Sequence, residues 1–169
     1  MKNKSALYLT RGALVGAMYV ALTYLASLVG LSSGVIQFRI SEALCILPLF
    51  MPEAVLGLTV GCFISNIIAT GVVPLDIIFG TLATFIGAIL ARACRRLPER
   101  LIFLSTLPTV FANAIIVPFV LMFAYQFEGG YFYFFTTVMI GELVCATLLG
   151  TVLYFALSPY FKKNGRREN

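Results

Sequence analysis

The chain has 169 residues, of which 60% are hydrophobic and 11% are charged, and its mean hydropathy is +0.98. A soluble domain carries roughly 25% charged residues, so this composition excludes an ordinary water-soluble globule and predicts an integral membrane protein. Histidine and tryptophan are absent. The lack of histidine excludes His-based catalysis and the usual metal ligands, and we expect neither a cofactor nor a metal.

Six apolar blocks, separated by turn-rich or basic segments, predict a single domain over residues 1–169 with six transmembrane helices. The separators are "GLSSG", Pro52, "TGVVP", "RACRRLPER" and "QFEGG". The approximate helices are residues 6–30, 36–51, 53–71, 75–91, 101–125 and 131–157. A helix needs about 20 residues to cross the hydrocarbon, so the short second and fourth helices are expected to be tilted or partly inserted. The basic start of the chain lacks a clear cleavage site and is interpreted as part of a retained first helix.

The distribution of basic residues predicts the orientation of this bundle. Six spans place both termini on one side, and eleven of the twelve basic residues fall on that side, with Arg39 as the exception. The positive-inside rule therefore predicts that both termini are cytoplasmic. The net charge of +5 then reflects the orientation in the membrane and contact with anionic lipid. It does not indicate nucleic-acid binding.

A few polar side chains remain in the outer half of the membrane or near its midplane. They are Arg39, Glu42, Asn66, Asp76, Asn113 and Glu142. Ionisable groups at such depths are costly and indicate a functional site by default. Glu142 is the strongest candidate, because no basic residue lies within a helical turn of it in the sequence.

The other members of this set have structural alternatives. Arg39 and Glu42 are three residues apart and could simply neutralise one another. Asp76 could be an N-cap for the fourth helix. The two asparagines could bond neighbouring helices.

Taken together, the set predicts a pocket that opens outward and accepts a cationic or donor-rich ligand. Three carboxylates surround one arginine, which disfavours an anionic ligand, whereas a carboxylate accepts two parallel N–H bonds. The aromatic run "YFYFF" starts the sixth helix at Tyr131. It is either an interfacial belt or a set of flat faces on which a planar ring stacks. The loop from Leu31 to Ile36 is expected to act as a lid.

Two helices carry small residues at four-residue spacing, which lets another helix approach closely. The first helix has Gly12, Ala13, Gly16, Ala17 and Ala21, and the third has Gly57, Gly61 and Ser65. One stripe can be absorbed inside the bundle, which leaves the other to face a partner protein. The cysteines lack C-x-x-C spacing and are interpreted as small core side chains.

Several motifs that would give the chain its own chemistry are missing from the sequence. There is no G-x-x-x-x-G-K-[ST] loop, so the chain is not expected to hydrolyse ATP itself. The sequence also lacks a G-x-S-x-G elbow and an H-E-x-x-H pair. It shows no two similar halves of opposite topology, which disfavours a secondary transporter that works alone.

Five segments in order resemble the QueT family over about Leu9 to Tyr154. They are "IQFRISEAL", "GLTVGCFISNIIATG", "DIIFGTLATF", "FANAIIV" and "IGELVCATLLG". The resemblance implies a substrate-binding S component of an energy-coupling factor (ECF) transporter in a bacterial plasma membrane. Its fold would be a six-helix bundle that takes up a queuosine precursor, a 7-deazaguanine base, in its aminomethyl form.

The resemblance also implies partners and site roles. An S component pairs with a membrane coupling protein and two cytoplasmic ATPases, and the alanines of the first helix resemble its docking face. A guanine-like edge suits Glu142, an aminomethyl cation could meet Glu42 or Asp76, and Arg39 or Asn113 could donate to the ring carbonyl. The alternatives are an S component for another vitamin, a stand-alone proton-coupled carrier with Glu142 or Asp76 as proton site, and a membrane enzyme.

Overall fold

The structure is a computed structural model that describes residues 4–31, 38–68 and 73–165. These ranges contain six helices and no strand, as the all-helical prediction requires. The helices are α1 (Lys4–Leu28), α2 (Ile40–Leu49), α3 (Glu53–Ile68), α4 (Pro74–Ala93), α5 (Leu107–Phe123, entered through a 3₁₀ segment at Glu99–Ser105) and α6 (Tyr131–Glu142, continued by Leu143–Leu149 and Gly150–Gly165).

Four helical segments are long and apolar enough to cross a membrane. They are Ser5–Leu28, Pro74–Arg96, Glu99–Phe123 and Tyr131–Lys163, whereas α2 and α3 are shorter apolar helices. The prediction of a short fourth helix was therefore wrong. The helix continues through Arg92, whose guanidinium donates to the carbonyls of Pro48 and Leu49 at 2.9 and 3.2 Å and so gives these carbonyls a partner.

The second helix is a ten-residue 3₁₀ helix. A 3₁₀ helix rises about 2.0 Å per residue, so ten residues span about 20 Å, compared with about 15 Å for an α-helix. Every residue from Ser41 to Pro48 is buried. The fold thus stretches a short segment through the centre of the bundle, where it carries Glu42 among the other helices.

Helices α1 and α3 run parallel, and their glycines meet. A Cβ at Gly57 would lie 2.3 Å from the Gly12 carbonyl oxygen, and one at Gly61 would lie 2.9 Å from that of Gly16. No side chain fits at such distances, so the two small-residue stripes predicted from the sequence pack against one another through their glycines. Gly12 and Gly16 are therefore buried inside the bundle.

The basic residues of several helices gather at one end. Arg11 at the start of α1 lies 3.6 Å from Glu53 at the start of α3, and Lys162 near the end of α6 pairs with Glu99. Large apolar side chains such as Leu9, Val152 and Phe132 are exposed around the bundle. A polar interior within an apolar exterior is the arrangement expected of a protein that has lipid as its solvent.

Candidate functional site: a buried polar cluster

The structure brings six of the seven predicted substrate-binding residues into the interior. Arg39, Glu42, Asn66, Asp76, Asn113 and Glu142 are all at most 8% exposed. They come from five different helices or their ends, so the cluster depends on the whole fold. The cluster divides into an outer network and an inner pair, which differ in how far their polar atoms are satisfied.

The outer network centres on Asp76 in the first turn of α4. Its carboxylate lies 3.5 Å from the Arg39 guanidinium and accepts a hydrogen bond from the Tyr125 hydroxyl at 2.9 Å. The Asn66 amide donates to the Asp76 carbonyl at 3.1 Å. These four residues connect α2, α3, α4 and α5 at the end of the bundle opposite the basic end of α4, and we call them the outer network.

A glycine makes room for the outer network. A Cβ at Gly80, one turn after Asp76 on α4, would lie 2.9 Å from the Asn66 amide nitrogen and 3.1 Å from an Asp76 carboxylate oxygen. Both distances are shorter than ordinary packing contacts, so any larger residue would displace these side chains. The "DIIFG" segment thus supplies both the central carboxylate and the space around it.

Deeper in the bundle, Glu42 is held by two neighbours. The Tyr19 hydroxyl of α1 donates to one carboxylate oxygen, and the Cys45 thiol donates to the other at 3.0 Å. The Arg39–Glu42 pair considered in the sequence analysis is not the main contact of either residue, because Arg39 pairs with Asp76 and Glu42 is held by Tyr19 and Cys45.

Asn113 and Glu142 form the inner pair. Asn113 is fully buried and Glu142 is 5% exposed. The Asn113 amide lies close enough to the Glu142 carboxylate to interact with it, but among the described residues neither polar atom of the Asn113 amide, nor Oε2 of Glu142, makes a hydrogen bond of ordinary geometry. Unsatisfied buried polar groups are rare and costly, so an amide and a carboxylate left in this state indicate a place where a ligand supplies the partners.

The helix geometry changes immediately after Glu142. Residues Leu143–Leu149 form a π-helical segment, which is a rare geometry that often marks functional sites. The other glutamate of the interior, Glu42, lies in the 3₁₀ helix α2, and α6 packs on α2 where Gly150 approaches the Ala43 carbonyl. Within the polar cluster, Glu42 thus lies on an irregular helical segment and Glu142 lies immediately before one.

Tyr131, the seventh predicted residue, lies apart from the cluster. Its ring packs against Phe119, with centroids 4.8 Å apart, and its hydroxyl donates to the Ile115 carbonyl at 3.2 Å. The predicted lid lies outside the described residues, except for Leu31. Within the described ranges, no group of three or more His, Cys, Asp or Glu side chains is arranged to hold a metal ion.

Sequence reasoning missed Tyr19, Cys45, Gly80 and Tyr125. Tyr19 lies in an apolar run that resembles any membrane helix, and Tyr125 was placed at the end of the fifth helix without a role. Only the contacts reveal them, because Tyr19 is 23 residues from Glu42 and Tyr125 is 49 residues from Asp76. The "DIIFG" glycine was visible, but nothing in the sequence indicates which side chains it faces.

The comparisons with known proteins identify the family. The family model described as QueT transporter matches residues 9–159, a range that contains every residue of the outer network and the inner pair. The chain belongs to the QueT transporter family. This confirms the resemblance stated from the sequence and makes the protein a member of a transporter family, not an enzyme family.

A curated QueT relative is similar over part of its length. "Queuosine precursor transporter QueT" of Lactococcus lactis subsp. cremoris (strain MG1363) is 37% identical over 86 residues. The match covers 51% of this chain and 50% of the relative, so it spans about half the length of each protein. No solved structure gives a significant match.

This QueT family member has a surface groove where α1 and α3 meet. The groove has a volume of about 650 Å³ and is lined largely by small and apolar residues, among them Ala13, Ala17 and Ala21. These three alanines are exposed. Of the five predicted docking residues, the alanines therefore line an open surface, while Gly12 and Gly16 form its floor against α3.

Proposed function

We propose that this chain is the substrate-binding membrane subunit of an ATP-driven ECF importer that takes up a queuosine precursor. The observation that carries the proposal is the inner pair. It is a buried amide and a buried carboxylate whose polar side-chain atoms include three without a hydrogen bond of ordinary geometry among the described residues. Membership of the QueT family and the printed name of the relative from Lactococcus lactis support the choice of substrate.

The inner pair suits the edge of a 7-deazaguanine ring. Such a ring presents two parallel N–H donors and a neighbouring carbonyl acceptor. Glu142 would accept the donors in a charge-assisted bidentate contact, and the Asn113 amide would donate to the ring carbonyl. Recognition of this kind rejects analogues strongly, because an analogue without the donors leaves the buried carboxylate unpaired.

The aminomethyl form of the precursor adds a cation, for which Glu42 is the proposed partner. Asp76 already pairs with Arg39 at 3.5 Å, whereas the contacts of Glu42 come from a hydroxyl and a thiol, which carry no positive charge. Arg39, Asp76 and Asn66 would then shape the outer entrance and not contact the ring. The position of Tyr131 gives its proposed stacking role no support.

Calorimetric titration tests the substrate. The purified protein would be titrated with aminomethyl-deazaguanine, its nitrile counterpart, queuine and guanine. We expect binding of a deazaguanine base that is tighter than that of guanine. Lack of binding by any purine-like base would contradict the proposed substrate and leave an S component for another vitamin as the next candidate.

We further propose a topology with six membrane-crossing helices and both termini in the cytoplasm of a bacterium. The shared location of Lys162, Glu99 and Arg92 at one end of the bundle supports this orientation, together with the positive-inside rule. The stretched 3₁₀ geometry of α2 supports a sixth crossing by a segment too short to span as an α-helix. Accessibility labelling of single cysteines introduced at Lys4 and Lys163 would test whether both ends face the cytoplasm.

The α1–α3 groove is the proposed docking site for the membrane coupling protein, which in turn binds two cytoplasmic ATPases. Its alanine lining resembles the docking face of S components, and a helix with small side chains would fill it. Ala17→Phe would fill the groove, while Leu14→Phe on the same helix changes an exposed residue outside its lining. We expect only Ala17→Phe to abolish co-purification with the coupling protein and uptake, with ligand binding unchanged. Equal co-purification of both variants would contradict the docking site.

A further inference from the structure

The α1–α3 groove contains a carboxylate at its basic end. Among the described residues that line the groove, Glu53 alone is charged, and it is the first residue of α3. It is 4% exposed. Helix α1 packs closely on it, since a Cβ at Gly12 would lie 3.2 Å from the Glu53 carbonyl oxygen. This contact fixes the position of the carboxylate beside side chains that are otherwise uncharged.

Arg11 satisfies the Glu53 carboxylate only in part. A guanidinium nitrogen of Arg11 lies 3.6 Å from a Glu53 carboxylate oxygen, whereas charge-assisted N–H···O bonds are about 2.7–2.9 Å long. The Arg11 side chain is 48% exposed and does not line the groove. A carboxylate offers about four acceptor sites, so Glu53 can accept a second cation that approaches through the groove.

The shape of the groove fits a helix that crosses the membrane. Its lining on α1 runs from Tyr8 to Tyr24, which at 1.5 Å per residue is about 24 Å, most of the hydrocarbon core of about 30 Å. Both tyrosines are exposed, and small residues between them let another backbone approach closely. A lipid acyl chain could cover the apolar part of the groove, but it would leave the carboxylate of Glu53 facing hydrocarbon, which is costly.

Resting on the docking site proposed above, we propose that the partner helix carries a lysine or arginine at its cytoplasmic end and that this cation pairs with Glu53. The small side chains of the groove set how closely the helix approaches. The carboxylate sets its register and direction, because a helix that is shifted by one turn of about 5.4 Å, or inserted in the opposite direction, leaves Glu53 without the cation. A helix of the same shape without the basic residue is then a poor partner.

The test is a binding titration in detergent between the purified chain and the purified coupling protein with its two ATPases from the same bacterium. Glu53→Gln removes the charge in the groove and should weaken the complex about tenfold or more. Arg11→Gln removes the internal cation but leaves Glu53 for the incoming one, so the complex should be as tight as that of wild type or tighter. Glu99→Gln is the matched control, because this carboxylate lies at the same end, pairs with Lys162 and does not line the groove.

A second measurement locates the cation on the partner. Each lysine and arginine at the cytoplasmic end of a membrane helix of the coupling protein is changed to glutamate in turn. We expect one of these changes to weaken binding to the wild-type chain and to restore binding to Glu53→Arg. The first half of this scan needs only the wild-type chain, so it decides the question even where the Glu53 variants fail to fold. A scan in which no change weakens the wild-type complex overturns the inference.

The outcomes separate this inference from the function on which it rests. Equal weakening by Glu53→Gln and Arg11→Gln overturns it, because the ion pair would then serve only the structure of the chain. Wild-type affinity of Glu53→Gln also overturns it, while the docking site stands if Ala17→Phe still abolishes binding. A dimer of the chain alone that Glu53→Gln disrupts would assign the groove to a second copy and overturn it as well. If the wild-type chain does not bind the coupling complex, the proposed function itself is wrong and this inference falls with it.

Discussion

The outer network and the inner pair lie in the same buried setting, but they differ in how far their carboxylate and amide groups are satisfied. Each has a carboxylate and an asparagine, yet those of the outer network are bonded within the protein, while polar atoms of Asn113 and Glu142 lack partners among the described residues. Satisfied polar groups in a membrane interior hold helices together. Unsatisfied ones cost stability and are retained for binding.

The largest expected effect is that of Asp76→Asn on stability. The change leaves the buried Arg39 guanidinium without a counter-charge, and breaking a buried pair in this way costs about 3–5 kcal/mol. The matched variant is Glu142→Gln, which removes a carboxylate that has no dedicated cation and should leave the unfolding temperature of the ligand-free protein unchanged or slightly raised. Thermal unfolding in detergent, without ligand, compares the two, and equal destabilisation would remove the distinction between the regions.

For ligand affinity we expect the opposite order, with a larger effect of Glu142→Gln than of Asp76→Asn. Glu142→Gln replaces an acceptor oxygen with an amide donor that faces the ring N–H groups, so binding should weaken by more than about 2 kcal/mol. Calorimetric titration with a deazaguanine base measures the loss. A Glu142→Gln variant that binds as tightly as wild type would show that the carboxylate is structural.

The two asparagines offer a closer comparison, since both are at most 2% exposed. Asn66→Leu leaves the Asp76 carbonyl without its amide donor, which should destabilise the protein by about 1–3 kcal/mol. Asn113→Leu keeps a similar volume and removes an unsatisfied amide, so the ligand-free protein should be as stable as wild type while ligand binding is lost. Unfolding and titration of both variants would sharpen the comparison, and a destabilised Asn113→Leu would contradict it.

The smallest effect is expected at the tyrosines. Tyr125→Phe removes one hydrogen bond to Asp76, while the ion pair between Asp76 and Arg39 remains. We therefore expect a loss of about 1 kcal/mol in stability and little change in ligand affinity. Tyr19→Phe frees an oxygen of Glu42 and should alter affinity for the aminomethyl base more than for the nitrile. Identical ratios of the two affinities in wild type and Tyr19→Phe would exclude a role for Tyr19 in positioning Glu42.

The sequence was sufficient for the helical architecture and for the six charged or amide side chains of the cluster. Charged residues are so rare in the apolar blocks that Arg39, Asp76 and Glu142 stand out without a structure, and the all-helical fold follows from composition. The fourth helix was judged too short because its polar end was taken as a turn. The basic residues there extend the helix instead, since Arg92 reaches carbonyls at the end of α2.

The pairing within the cluster could not be derived from the sequence. A spacing of three residues favours Arg39 with Glu42 on a regular helix, but tertiary packing joins Arg39 to Asp76 and Glu42 to Tyr19. The 3₁₀ and π geometry of the segments that carry or follow the two glutamates also has no signal in the residue pattern. The division into a satisfied and an unsatisfied region is therefore a property of the fold alone.

A structure of the protein with bound aminomethyl-deazaguanine tests the central claim most directly. The distances to be measured join the ring N–H groups to the carboxylates of Glu142 and Asp76. The account predicts that the ring donors lie within about 3.2 Å of Glu142, that Asn113 faces the ring carbonyl, and that the Arg39–Asp76 pair stays intact. A ring bound to Asp76, with Glu142 and Asn113 still without partners, would contradict it.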